Sequence, residues 1–286
     1  MQSAGLDTGP PRLRVRFPER IAKFLVPRYS ARMPAPNDKP TIISMALIAS
    51  ALATLLHEGL GHGVTAWLRG DIPTELTSNH LSSLQPDRWV DAAGTLVNLA
   101  VGAACLLIAR QTLRANIRYF FWILAALNLL PGAGYFLFSG IFGFGDWNEV
   151  IRGLPHQPAL RIGMTIFGAA LYLWFVRWLA QAIRPFVPER HTYNTVGRLP
   201  YYTACLFSCA AGAFDPLGIK LLLVSTIPAA FGGSSGLLWA DALLPRTPPA
   251  PEKIFTVHRA PIWWVAAVLL GGCYVFFVGR GIQLTH

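Results

Sequence analysis

The chain has 286 residues, of which 53% are hydrophobic and 13% are charged, and its formal net charge is +10. Soluble domains carry about 25% charged residues, so this composition excludes an ordinary soluble domain and, over most of the length, an intrinsically disordered chain. Basic chains can bind nucleic acid, but here the basic residues cluster in loops and tails, as membrane insertion requires. We therefore predict a membrane protein without a nucleic-acid partner.

Long apolar segments follow one another along the chain. A helix needs about 20 mostly apolar residues to cross a bilayer core of about 30 Å. A buried soluble core could imitate one such segment, but not a series of them. The sequence therefore predicts an all-α polytopic membrane protein with six or seven transmembrane helices, some of them broken by Gly or Pro. The predicted spans are 41–68, 90–109, 117–142, 159–183, 201–244 (long enough for two passes, but interrupted by Pro216 and Pro228) and 261–278.

The residues before the first span form a basic tail, 1–40. Because basic flanking segments stay on the cytoplasmic side during insertion, we expect this tail in the cytoplasm. Two later basic stretches, around Arg114 and Arg190, would then be cytoplasmic too, in agreement with the predicted spans. The sequence thus predicts a tail, 1–40, and a single transmembrane domain, 41–286, with a metal-site core at about 41–150. The expected location is a bacterial-type inner (plasma) membrane.

The first predicted span carries three ionisable residues within six positions, namely His57, Glu58 and His62. Ionisable side chains inside a membrane are energetically expensive and commonly mark functional sites. Two imidazoles and a carboxylate on an apolar helix are hard to explain by packing. A metal ion would neutralise the carboxylate and accept the lone pairs of the imidazoles, so this segment is a candidate metal site.

The spacing of the two histidines departs from the familiar zinc-binding helix. In a His-Glu-x-x-His motif the histidines stand at i, i+4 on one helix face, and the Glu is the general base. His57 and His62 stand at i, i+5, so at about 100° per residue their side chains would diverge by about 140° on a regular helix. A π-bulge would restore the shared face, and Gly59, Gly61 and Gly63 soften the segment, so we predict a widened helix between residues 58 and 62. Alternatively, Glu58 and His62, already at i, i+4, would both be ligands and the base would be missing.

This segment resembles the first motif of the site-two protease family of intramembrane zinc metalloproteases. Two further stretches resemble that family. Residues 93–98 (AGTLVN) are similar to its Ala-Gly-Pro-x-x-Asn motif, with Thr95 in place of Pro, and residues 128–131 (NLLP) are similar to the start of its Asn-x-x-Pro…Asp-Gly motif. The three stand in the family's order over about 43–148. The resemblance implies a Zn²⁺ cofactor, with Asn98 and Asn128 orienting the substrate or the metal-bound water.

The third metal ligand is less clear from the sequence. In the family it is an Asp shortly after the Pro, but residues 136–140 (FLFSG) contain none. The next carboxylate is Asp146, and glycines at 132, 134, 140, 143 and 145 suggest a broken helix that folds back, which is tolerated at membrane depth where it lines a cavity. Asp146 is therefore the candidate third ligand, or else an interfacial carboxylate. Asp215 is a second possibility, although Asp215-Pro216 also suits the cap of a tight turn.

These residues favour a membrane-embedded zinc metallopeptidase. His57, His62 and Asp146 would bind zinc, and Glu58 would be the general base. By resemblance, the substrate would be a transmembrane segment or a membrane-proximal peptide of another protein. Two alternatives stay open: a transporter or a proton- or ion-conducting protein, because intramembrane His, Glu and Asp also mark ion pathways, and an inactive protease-like scaffold, because the motifs have drifted.

Overall fold

The computed structural model describes residues 36–85 and 87–285. Six helices in this part of the chain are long and apolar enough to cross a membrane. The predicted all-α polytopic fold is therefore confirmed, and the protein is a multi-pass integral membrane protein. Most of the predicted basic tail, up to residue 35, lies outside the described residues. The helices are α1 (Lys39–Leu68), α2 (Arg88–Gln111), α3 (Ala115–Phe142), α4 (Asp146–Ile151), α5 (Gln157–Phe186), α6 (Leu199–Gly212), α7 (Ile219–Leu243) and α8 (Pro261–Val278), of which all but α4 and α6 belong to the six.

Several helices change their hydrogen-bonding pattern along their length. The most important is α1, which is α-helical over Lys39–Thr54, a π-helix over Leu55–Gly63, and α-helical again over Val64–Leu68. The other departures are the 3-10 turns Arg184–Phe186, Arg190–Thr192, Ala240–Leu243 and Pro251–Lys253 and the π-helices Asn194–Arg198, Leu222–Thr226 and Tyr274–Val278.

The start of α1 is set by its own residues. Asp38 is the N-cap, and its carboxylate accepts hydrogen bonds from Thr41 N at 3.0 Å and from the Thr41 hydroxyl. Pro40 lies in the first turn, where its missing N–H costs no hydrogen bond. The sequence thus specifies where the helix that carries the histidines begins.

The core lies where α1, α2, α3 and α5 pack together. Its largest fully buried side chains include Trp122 and Tyr119 of α3. Their polar atoms are satisfied, because Trp122 Nε1 donates to the Leu179 carbonyl at 3.0 Å and the Tyr119 hydroxyl donates to the Val196 carbonyl at 2.8 Å. No water is present in a bilayer core to satisfy such groups. These hydrogen bonds join α3 to α5 and to the segment before α6.

A small antiparallel sheet lies beside the helices, with strand order β2-β1-β3. Strands β1 (Pro73–Leu76) and β2 (Leu81–Ser83) form a hairpin between α1 and α2, and β3 (Ile282–Gln283) follows α8. The pairing of Glu75 with Gln283 places the end of the chain on the same side of the helices as the α1–α2 connection.

The segments that connect the helices lie on two sides of the molecule, and hydrogen bonds show which segments share a side. On the Pro36 side (36–38, 112–114, 187–198 and 244–260) they join Asp38 to Val257, Asn116 to His258, and Arg184 to Pro245. On the Asp146 side (69–85, 143–156, 213–218 and 279–285) they join Arg88 to Arg152, and Asn79 to Asp215. The helical run 194–212 connects the two sides. It is not among the six helices that are long and apolar enough to cross a membrane.

Candidate metal centre

The π-helix brings the two histidines together. Over Leu55–Gly63 the helix closes its turns with i→i+5 hydrogen bonds, which is the separation of His57 and His62. Their Nε2 atoms lie 3.2 Å apart, and both residues are buried. The predicted widening of this helix is thus confirmed. A regular α-helix would have pointed the imidazoles to different sides.

Asp146 reaches the histidines because the chain turns sharply after α3. The helix runs continuously through Pro131 to Phe142, with Gly143 as its C-cap, so the break expected from the glycines occurs only at 143–145. Gly143 and Gly145 have φ values of 64° and 89°, which side chains other than glycine rarely tolerate. The turn places Asp146 Oδ2 3.3 Å from His57 Nε2 and 3.6 Å from His62 Nε2.

Two further contacts hold this turn in place. Arg161 of α5 donates to the carbonyls of Gly140 and Ile141 at the end of α3, at 3.0 and 2.7 Å. Trp147, which follows Asp146, stacks on Phe136 with ring centroids 4.4 Å apart. Asp146 is therefore positioned by packing on both sides of the turn.

The hydrogen bonds around the imidazoles indicate which ring nitrogen carries the proton. His62 Nδ1 lies 2.7 Å from the Val90 carbonyl, an acceptor, so Nδ1 is the protonated nitrogen and Nε2 of the neutral ring keeps its lone pair. His57 Nδ1 lies 3.1 Å from the Asn98 side-chain amide, whose Oδ1 has no partner as placed. The oxygen and nitrogen of a side-chain amide are assigned from the surrounding hydrogen bonds. With the oxygen facing His57, Asn98 Oδ1 accepts a hydrogen bond from His57 Nδ1–H. His57 Nε2 then also keeps its lone pair.

With the Asn98 amide and both imidazoles assigned in this way, three acceptors meet with no donor between them. Asp146 Oδ2 is buried and has no hydrogen-bond partner. An ionised carboxylate oxygen and two imidazole lone pairs at one point are satisfied together by a cation.

The distances suit zinc. A tetrahedral zinc ion with ligands at about 2.0–2.1 Å separates its ligand atoms by about 3.3–3.4 Å. The three separations among His57, His62 and Asp146 are 3.2, 3.3 and 3.6 Å. These three residues form the group of metal-binding type found among the described residues. Glu58 Oε1 lies 4.0 Å from His57 Nε2 and is not part of that group, so the alternative pairing of Glu58 with His62 is not the one observed.

A glycine in the second motif makes room for the centre. A Cβ atom at Gly94 would lie 2.4 Å from His62 Nε2 and 2.7 Å from His57 Cε1. A Cβ at Gly61 would lie 2.5 Å from the Gly94 Cα, so the backbones of α1 and α2 are in direct contact here. Any larger residue at position 94 would occupy the space in which the imidazoles meet.

Of the remaining predicted residues, one contacts the cluster and two do not. Asn98 is buried against His57, as described. Asn128 is buried too, but its amide donates to the Leu124 carbonyl of its own helix at 2.7 Å, and no hydrogen bond joins it to the cluster. Asp215 lies elsewhere, where it accepts from Asn79 and from Leu217 N at the turn. It caps that turn and takes no part in the cluster.

Two contributors to the centre were missed by the sequence analysis. The ring of Tyr135 stacks on His57, with centroids 4.8 Å apart and planes 12° from parallel. The Val90 carbonyl, which orients His62, is a backbone group and leaves no trace in residue type. Tyr135 lies four residues after the Pro of the third motif, close to where the resemblance places a ligand. This position is the only feature of the sequence that could have indicated Tyr135.

Comparisons with known proteins assign no family. A scan against protein-family models, a search of curated proteins and a search of solved structures each found no match. The resemblance to the site-two protease family therefore depends on the three short motifs alone. Of these, the first two contribute residues to the cluster, and the third is carried by α3, which packs against α2.

Proposed function

We propose that this protein is an intramembrane zinc metallopeptidase. The observation that supports it best is the meeting of three lone-pair donors, His57 Nε2, His62 Nε2 and Asp146 Oδ2, at tetrahedral separations with no donor among them. An uncharged pair of imidazoles beside an ionised carboxylate is a suitable ligand set for Zn²⁺. The resemblance of the three motifs to the site-two protease family supports the same function.

The distribution of buried charge favours this proposal over transport. A proton or ion pathway needs polar groups across the membrane. In the described part of the chain, the buried Asp, Glu, His, Lys and Arg residues are His57, Glu58, His62, Asp71 and Asp215. All of them lie at the middle of α1 or nearer the Asp146 side. The half of the helices towards the Pro36 side contains none, so the charges form a localised cluster.

Each residue has a distinct task in the proposed reaction. When bound, zinc supplies Lewis acidity that polarises the scissile carbonyl and acidifies a water molecule. His57, His62 and Asp146 hold the ion, while Asn98 and the Val90 carbonyl fix the tautomers of the imidazoles. Glu58 is buried beside His57 and outside the ligand set. Its carboxylate takes the proton of the attacking water and passes it to the leaving amine.

The charge on the two sides suggests an orientation. Bases outnumber acids at the Pro36 side, whereas the Asp146 side is close to balanced, so we propose that the Pro36 side is cytoplasmic. The bases of the Pro36 side are Lys39, Arg110, Arg114, Arg118, Arg184, Arg190, Arg198, Arg246, Lys253 and Arg259, against the acids Asp38, Glu189, Asp241 and Glu252. The metal centre then lies towards the non-cytoplasmic half of the bilayer. The proposed substrate is a transmembrane or membrane-proximal peptide reached from that half.

A reporter fusion tests this orientation. A reporter that is active only in the cytoplasm, fused to the N-terminus, should be active, and the same reporter fused after residue 286 should be silent, because α1 begins at the Pro36 side and α8 ends at the Asp146 side. The opposite pattern would reverse the proposed orientation of the site.

Metal analysis with a cleavage assay tests the function. Full-length wild type, purified in detergent, should carry about one zinc ion per chain and should produce fragments from a panel of single-span peptides, detected by mass spectrometry. His57→Ala should lose both properties, while His80→Ala, a histidine outside the centre, should keep them. Wild-type protein without zinc would refute the proposal, and zinc without fragments would favour the inactive scaffold.

A further inference from the structure

A pocket lies at the Pro36 side, away from the candidate metal centre. It has a volume of about 410 Å³ and is formed by the end of α5 and the residues after it, together with the residues that follow α7. Three arginines line it, Arg184, Arg190 and Arg246, and its other lining residues are apolar, among them Val187, Leu244 and Pro245. The pocket thus combines three fixed positive charges with an apolar wall where helices leave the membrane.

One of the three arginines, Arg184, joins the two segments that form the pocket. The Arg184 guanidinium donates to the carbonyls of Pro245 and Thr247 at 3.2 and 3.0 Å, and also to the Val187 carbonyl. These bonds tie the segment after α7 to the end of α5. Because carbonyls do not neutralise the guanidinium, its positive charge remains at the base of the pocket.

Among the described residues, the other two arginines have no counter-ion. The arginine ion pairs of the described residues involve Arg69, Arg152 and Arg198 only. Arg190 and Arg246 are exposed at the pocket. The nearest carboxylate in sequence, Glu189, faces His191 at 3.2 Å instead. Three positive charges therefore share one pocket without an acidic residue in its lining.

We propose that this pocket binds a phosphate group, with Arg190 and Arg246 as its ligands. Guanidinium groups bind phosphate oxygens through paired hydrogen bonds. Basic pockets between transmembrane helices at the membrane boundary bind anionic lipid head groups, and the apolar wall of this pocket suits the glycerol and upper acyl region of such a lipid. A soluble phosphate compound has the same ligand chemistry, so the test distinguishes the two sources.

The test measures thermal stabilisation of the full-length protein in detergent by titrated phosphatidylglycerol, phosphatidylcholine or inorganic phosphate. The variant Arg190→Gln/Arg246→Gln removes the two ligands and leaves Arg184, which holds the pocket together. The control Arg114→Gln/Lys253→Gln removes two charges from the same side at exposed positions outside the pocket. Because each basic residue near an anionic surface contributes about 1 kcal/mol, loss of two should raise the apparent dissociation constant about 10- to 30-fold.

The expected result is stabilisation by phosphatidylglycerol but not phosphatidylcholine, lost in the Arg190/Arg246 variant and kept in the control. Equal stabilisation by inorganic phosphate would identify a soluble phosphate compound as the source. Equal weakening in both variants would reduce the effect to general surface charge and overturn the proposal, as would no stabilisation of the wild type by any of the three additives. Circular dichroism of each variant verifies that its helical content is unchanged.

Discussion

Two polar clusters lie towards the Asp146 side, and they contain nearly the same residue types. The candidate metal centre has His57, His62, Glu58, Asp146 and Asn98. The second cluster has His80, Glu75, Asp215 and Asn79, between the β1–β2 hairpin and the turn after α6. Residue type alone therefore does not distinguish a candidate metal site from a structural contact.

The clusters differ in the balance of donors and acceptors. In the second cluster each carboxylate has a donor: Asn79 Nδ2 and Leu217 N bond Asp215 at 2.9 Å each, and Gln283 Nε2 bonds Glu75 at 2.7 Å. The side-chain oxygen of Asn79, Oδ1, accepts a hydrogen bond from the Thr226 hydroxyl at 2.7 Å. This cluster satisfies itself and ties the hairpin to the neighbouring elements. In the candidate metal centre the three acceptors His57 Nε2, His62 Nε2 and Asp146 Oδ2 face one another, an arrangement that a bound cation would satisfy.

The largest expected effect is the loss of peptide cleavage on substitution of Glu58. Glu58→Gln keeps the size of the side chain but removes its ability to accept a proton, so peptide cleavage should fall about 10²- to 10⁴-fold. Zinc content should stay at the wild-type level, because Glu58 is outside the ligand set. Cleavage of a single-span peptide and zinc content are measured on the same preparation.

The matched control for that change is Glu75→Gln in the second cluster, which should alter neither quantity. Loss of zinc from Glu58→Gln would show that Glu58 is a ligand, as in the alternative geometry. Cleavage by Glu58→Gln at the wild-type rate would rule out its role as the base.

A smaller effect is expected at Asn98. Asn98→Ala removes the partner that holds His57 in the tautomer with a free Nε2. Partners of this kind contribute about 10- to 100-fold to metal affinity, so the zinc dissociation constant should rise by that factor. Competition with a chromogenic chelator measures it. An unchanged affinity would mean that the Asn98 contact does not orient the ligand.

The smallest effect is expected at Asn79, the counterpart of Asn98. Asn79→Ala leaves Asp215 Oδ2 and the Thr226 hydroxyl without their hydrogen-bond partner, which costs about 1–3 kcal/mol for buried groups. The midpoint of thermal unfolding should fall by several degrees, while zinc affinity stays at the wild-type value. A loss of zinc affinity at Asn79 comparable to that at Asn98 would erase the distinction between the clusters.

Much of the fold was predictable because its causes are local. Apolar runs of about 20 residues predict membrane spans wherever they occur, and six of the helices match them. The π-helix was predictable for a related reason: His57 and His62 at i, i+5 can share a ligand only if the helix widens. The glycines before Asp146 predicted a chain that folds back and made Asp146 a candidate third ligand, but the sequence left an interfacial carboxylate as an equal alternative.

Other features depend on residues far apart in the chain and were decided by tertiary structure. The sequence offers Asn98 and Asn128 as equivalent candidates, yet packing turns one towards His57 and leaves the other bonded to its own helix. The Val90 carbonyl and the Tyr135 ring join the centre only because α2 and α3 pack against the π-helix. Periodicity and hydropathy record what each residue prefers within its own helix. Which lone pairs meet without a donor is a property of contacts between helices, and only the assembled bundle determines it.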